Sequence, residues 1–213
     1  MSNGLSPLPA NGVAEPMDVD EGTLARTESP NPMPIGLDAR SGAKGGTAKG
    51  GRPSVADQIV AYARHRLAQR VGDGECYTLA NRALGNAGAR TAADYGEVTP
   101  NADYVWGSPV TLSDLRPGDV IQLRNYQYER TVDVNNPDGS GSTNTVLQER
   151  PHHTAIVQRV EGSVVTVLEQ NAPDDSPVAT TRLYFANSET TSGSTTTRVT
   201  VSGTWWFYRP QTP

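Results

Sequence analysis

Gly72-Asp73-Gly74-Glu75-Cys76-Tyr77-Thr78-Leu79-Ala80 holds the single cysteine of the 213-residue chain, where a glycine-punctuated loop gives way to a helical pattern. The pattern runs from Glu75 to Ala87, with Leu79, Ala80, Ala83, Leu84 and Ala87 on one side and Gly88 as the stop. Cys76 therefore falls in the first turn. Aligned backbone N–H groups at a helix start favour a thiolate, so this is a natural position for a nucleophile. One cysteine excludes an internal disulfide scaffold and suits either a reducing compartment or a catalytic thiol.

Upstream, Pro53-Ser54 opens another predicted helix reaching about Arg70, with Ser54 as N-cap, Asp57 in the first turn, and Val55, Ile59, Tyr62, Ala63 and Leu67 as its apolar stripe. Residues 1–53 are rich in Pro, Gly, Ser and Asn and lack sustained apolar periodicity, so they read as a disordered tail ahead of one folded domain, 54–211.

Downstream the pattern changes from helical to β. Leu115-Arg116-Pro117-Gly118-Asp119 is a turn that launches a strand at Val120-Ile121-Gln122-Leu123. A long exposed hairpin is expected from Tyr126–Val134 and Thr143–Glu149, joined by an Asn-, Gly- and Ser-rich loop. Strands follow at His153–Val160 and Val164–Leu168, then a pair near Arg182–Ala186 and Thr197–Val201, then Trp205–Tyr208, whose aromatics read as sheet core and edge. Helices first and strands afterwards indicate an α+β fold, an antiparallel sheet packed against helices.

A thiol needs a base to deprotonate it, and His153 supplies one, with adjacent His152 as the competing candidate. Strand alternation puts His153 with Ala155 and Val157, and His152 with Thr154 and Ile156; only one face can meet the helix of Cys76. Alternation also turns Glu169 and Asn171 the same way, offering either as the group behind the imidazole, while Gln170 points away. The Cys76 N–H could donate to an oxyanion. No metal or other cofactor is required, and one cysteine with two neighbouring histidines lacks the spaced ligand pairs of a zinc site. Gly107, after Trp106, suggests a close backbone approach near the cleft.

These segments resemble the CHAP family, the cysteine, histidine-dependent amidohydrolases and peptidases of bacterial and phage cell-wall hydrolases. The resemblance rests on Gly74-Glu75-Cys76, Tyr104-Val105-Trp106-Gly107, Leu115 to Val120, and His153-Thr154-Ala155-Ile156-Val157 followed by Glu169-Gln170-Asn171. It implies a papain-like fold in which Cys76 is the nucleophile, His153 the base, Glu169 the orienting carboxylate and Asn171 a further polar partner. It also implies a cysteine peptidase or amidase acting on peptidoglycan or another peptide. His152 stands where the family often has glycine, and Glu75 where many members have glutamine, so no oxyanion role is assigned to Glu75. The hairpin is longer than the family's usual connection.

The net charge of -5 and the absence of a basic stripe argue against nucleic acid or an anionic membrane surface as partner. No signal peptide or membrane-spanning stretch is visible, which leaves a cytoplasmic site or export by a non-classical route. A monomer is expected, with the tail a recognition segment for a delivery or regulatory protein. Two other functions stay open: a non-catalytic interaction module on the same fold, and an intracellular amidase on a small peptide or polyamine conjugate.

Overall fold

Ser54 starts the first helix of the computed structural model, which describes residues 52–100 and 102–213. The expected tail lies outside the described residues apart from Arg52 and Pro53. Ser54 Oγ accepts the Asp57 N–H and Asp57 Oδ2 accepts the Ser54 N–H, each at 3.1 Å, a reciprocal cap that fixes the start of α1 (Val55–Arg64). The helix ends sooner than its apolar stripe suggests. Ala68 turns into the left-handed region (φ 59°), and the chain leaves to pair with Val178, Ala68 N–H to Val178 O at 2.8 Å and Val178 N–H to Gln69 O at 2.9 Å. α2 (Cys76–Asn86) buries Leu79, Ala80, Ala83 and Leu84, the apolar side read from the sequence.

The sheet is antiparallel throughout: β1 (Ser108–Val110), β2 (Val120–Asn135), β3 (Gly141–Glu161), β4 (Val164–Glu169), β5 (Ala179–Tyr184), β6 (Ser188–Ser192) and β7 (Thr195–Arg209), in the order β1-β7-β2-β3-β4-β5, with β6 paired to β7. One face packs Val120, Ile156 and Leu168 against Ile59, Leu79 and Leu84 of the helices. The other gathers Ile121, Ala155, Val157, Val167, Leu183 and Phe207. Burying such side chains is the main source of stability, about 25 cal/mol per Å² of apolar surface.

Three expectations are corrected. The separate hairpin does not exist as such: β2 and β3 are single strands that run from the core into it in one register, Val120 opposite Ile156 through Asn135 opposite Gly141. β7 and β6 continue along the other side of β2, making an arm of four strands. Residues 182–186 do not pair with 197–201, because β5 lies on β4 and the partner of β7 is β6, hidden in a Ser/Thr-rich stretch that reads as loop. Gly107 (φ 151°) lies at a close approach, but to β7 and not to the cleft: a Cβ there would stand 2.0 Å from the Arg209 carbonyl oxygen. Trp106 is fully buried, its Nε1 donating to Gln122 Oε1 at 3.2 Å.

Among the described residues no helix is long and apolar enough to cross a membrane. Gly107→Ala must displace the β7 backbone and should cost about 2 kcal/mol or more, read as a lowered midpoint in denaturant with an unchanged slope.

Candidate active site

β4 stops at Glu169, and β3 keeps going. The β3–β4 ladder runs from Glu161 to Ile156, so the stretch of β3 before Ile156 has an open edge on that side. The start of α2 occupies the gap. Cys76 is buried there, 8% exposed, and its sulfur accepts from the Thr154 N–H of that edge and from the Tyr77 N–H of its own helix. It also hydrogen-bonds the His153 imidazole.

The face argument does not lead to the histidine beside the sulfur. Ala155 and Val157, on the face of His153, lie in the cluster turned away from the helices, while Ile156, on the face of His152, packs beneath them. His153 reaches the sulfur around the strand edge, which alternation does not describe. The His152 Nε2 lies 2.8 Å from the Ala102 carbonyl and 3.0 Å from Gln122 Nε2, and burial pushes its pKa down.

Behind the imidazole stands Glu169, fully buried. His153 Nε2 is 2.8 Å from Glu169 Oε2. The ring N–H is not aligned on that oxygen, so charge proximity rather than a linear hydrogen bond joins them. With Nε2 turned to the carboxylate, Nδ1 is the nitrogen left for sulfur. Glu169 Oε1 also accepts from Arg150 Nη2 at 2.8 Å and from Thr181 Oγ1 at 2.6 Å. Arg150 and Thr181 were not singled out in the sequence. The signal for Arg150 was general: a carboxylate buried this deeply needs a cation.

Asn171 does not join the imidazole. The chain turns at φ 62° as it leaves β4, and Asn171 Nδ2 donates to Glu75 Oε2 at 3.2 Å while its Oδ1 accepts the Asp175 N–H at 2.7 Å. Gln170 points away from Glu169, but what it points at matters. Fully buried, it accepts the Val71 N–H at 3.0 Å and donates to the carbonyls of Val71 (3.1 Å) and Glu75 (2.7 Å), clamping the loop that delivers Cys76.

These contacts set the charges. Burial pushes the Cys76 thiol up, but the His153 hydrogen bond and charge and two backbone N–H groups bring it below its ordinary value. Burial pushes His153 down, yet the thiol and Glu169 raise it to about 9. Burial raises Glu169, and His153 with Arg150 lowers it to about 2. The set these shifts favour is thiolate, imidazolium and carboxylate. It opens on a cleft of about 600 Å³ lined by Cys76, His153, Tyr104, Glu149 and Pro173.

A thiolate–imidazolium pair at a helix start, beside a sheet, is the arrangement of a cysteine proteinase, and comparison of the chain with known families matches residues 50–211 to the AIM3/BBC1 cysteine proteinase-fold domain. The chain belongs to that family. The papain-like fold expected from the sequence stands, while the match is to the AIM3/BBC1 domain and not to CHAP. Neither the curated proteins nor the solved structures gave a match.

Alkylation of Cys76 in the AIM3/BBC1 domain by iodoacetamide should stay fast at pH 6, where an ordinary thiol of pKa about 8.5 is almost wholly protonated. His153→Ala should move the midpoint of the rate profile up toward that ordinary value. Gln170→Leu leaves the buried Val71 N–H unpaired and releases the clamp on the Val71 and Glu75 carbonyls; it should destabilise the domain by about 2 kcal/mol in denaturant titration and slow the pH 6 reaction.

Proposed function

We propose that this domain is a cysteine hydrolase that cleaves amide or peptide bonds through an acyl-thioester. The observation that supports this most is the chain of contacts from Cys76 through His153 to buried Glu169 at the wall of one cleft. The sulfur attacks the carbonyl carbon as a thiolate, and the carbonyl oxygen takes the negative charge. As first residue of α2, Cys76 has an N–H with no acceptor inside the helix, and that donor lies beside the developing oxyanion. The imidazolium then gives its proton to the departing nitrogen, breaking the C–N bond. In the second half, neutral His153 takes a proton from water, whose oxygen attacks the thioester and releases the acid and the thiolate.

Glu169 holds the ring and its charge and stays ionised throughout. The CHAP resemblance points to peptidoglycan as the amide substrate. The AIM3/BBC1 family carries no such pointer, so the proposal stops at the bond type and peptidoglycan becomes one arm of its test.

Wild-type protein and Cys76→Ala should be incubated with a pool of unstructured peptides and, separately, with peptidoglycan sacculi, and new ends identified by mass spectrometry. New amine and carboxyl ends should form with wild type and fall by about 10³-fold or more with Cys76→Ala; identical product profiles on both substrates remove the assignment. For any peptide cleaved, kcat/KM should be bell-shaped in pH. The proton needed by the leaving group is held below the raised His153 pKa, so the basic limb falls as pH rises through about 9. Alkylation, which needs only the thiolate, should show no such fall.

A further inference from the structure

β3 is 21 residues long, and β4 covers only its last part, Ile156 to Glu161. β2 pairs with the other side from Gly141 to Ile156 without a register break. In an antiparallel ladder each residue directs its N–H and C=O to one side, alternating along the strand. Val157 shows the phase, since its N–H donates to Asp119 O at 2.8 Å and its C=O accepts the Gly118 N–H at 2.9 Å, both on the β2 side. At the core end odd-numbered residues of β3 thus serve β2, and even-numbered ones face the open edge. In the arm, beyond Asn125 (φ 50°) and Pro151, the phase is reversed, since Asn136 N–H donates to Ser140 O while Asn135 N–H goes to Ser194 O on the β7 side, so there the odd-numbered residues of β3 face the open edge. Thr154 agrees with the core-end phase, because its N–H goes to the Cys76 sulfur. The sulfur therefore sits where the next strand would lie.

We propose that the open edge of β3 from Ser142 to His152 receives an extended polypeptide substrate by strand addition and leads it onto Cys76. The proposal rests on the hydrolase reading above and narrows its substrate to unfolded or extended chain. The edge, about 33 Å long at about 3.3 Å per residue, is continuous with the cleft, whose wall includes Glu149, Arg150, Pro151 and His152. Residues 141–147 are all exposed, and Val146 (44%) and Leu147 (55%) are two of five large hydrophobic side chains exposed among the described residues.

Exposed edges are ordinarily blunted by lysine, proline, a bulge or shortness. This one is long, has no lysine and keeps its register against β2 throughout. Its one proline, Pro151, lies where the phase reverses, and the outward donors of Glu149, Leu147, Thr145 and Thr143 are intact. Recognition through backbone groups tolerates many side chains while requiring an extended main chain.

The test uses the full chain carrying Cys76→Ala, so that bound peptide is not cut, with a pool of randomised 14-residue unstructured peptides as probe and residue-resolved amide exchange as readout. Saturating peptide should slow exchange at Thr143, Thr145, Leu147 and Glu149 by at least tenfold. A pool of five-residue peptides should protect fewer of these amides. Thr145→Pro with Leu147→Pro removes two outward donors without touching the β2 ladder and should abolish the protection. Unchanged exchange at these odd-numbered amides with the long pool overturns the proposal. So does their protection without peptide in a protein of dimeric mass, which would mean that a second copy fills the edge. Iodoacetamide reactivity of the wild type at pH 6 is measured alongside: a sluggish thiol with a protected edge counts against the hydrolase reading alone, and a reactive thiol with an unprotected edge counts against strand addition alone.

Discussion

The ending of β4 at Glu169 is the constraint on which the site depends. Had β4 continued in register, its backbone would satisfy the Thr154 N–H and no helix start could reach it. Because it stops, a backbone donor that would be costly to bury unpaired is left for sulfur. The same stop frees the residues after Glu169 to turn. Gln170 goes to the loop before Cys76 and Asn171 to Glu75, so the segment that opens the gap also holds its occupant. Position and chemistry are one feature of the sheet.

Burying this much charge is unfavourable unless each charge has a partner. The set alternates: thiolate of Cys76, imidazolium of His153, carboxylate of Glu169, guanidinium of Arg150, which sum to zero. Arg150 is as necessary to this balance as the histidine. Without it, Glu169 would face burial with His153 as its only cation, and desolvation would push its proton back on. Thr181 adds a neutral donor to the oxygen that Arg150 already holds, leaving Oε2 toward the ring.

The parts legible in the sequence were those whose cause is local. Ser54 and Asp57 cap a helix by contacts three residues apart, and the apolar side of α2 follows from spacing alone. Cys76 was legible because glycines and a helical pattern meet at it. The choice between His152 and His153 was not, since alternation reports the face of a strand and the contact is made at an edge. Asn171 lines the cleft but turns away from the imidazole for a related reason: a period of two holds only while the backbone stays extended, and it turns at that residue. Gln170 shows the converse. Its direction was correctly read, but its importance depends on a loop ninety-nine residues away in sequence. The long strands were divided at Asn125, where β2 bulges against β7 between Arg124 and Gln127, whereas the β2–β3 pairing keeps one register on either side.

An arm exposed on both faces specifies its register poorly by side-chain burial, since slipping by one residue exposes nothing new. Here the register is set from both ends. At the base, Tyr126 is fully buried and exchanges hydrogen bonds with the Tyr184 backbone, its hydroxyl accepting the N–H at 2.9 Å and donating to the C=O at 3.1 Å. Tyr128 stacks on the Tyr184 ring at 4.3 Å. At the tip, Asn136 N–H donates to Ser140 O at 2.8 Å and closes the turn, and Thr143 donates to Asp133 across the strands at 2.6 Å. A slip would have to break the buried base and the turn together. The outward-facing backbone of the arm is consequently fixed, its phase reversed relative to Thr154 at Asn125 (φ 50°). An arm that is mostly polar and adds little to the core can still carry a defined row of donors and acceptors to the cleft, because its geometry is inherited from the buried part of the same strands.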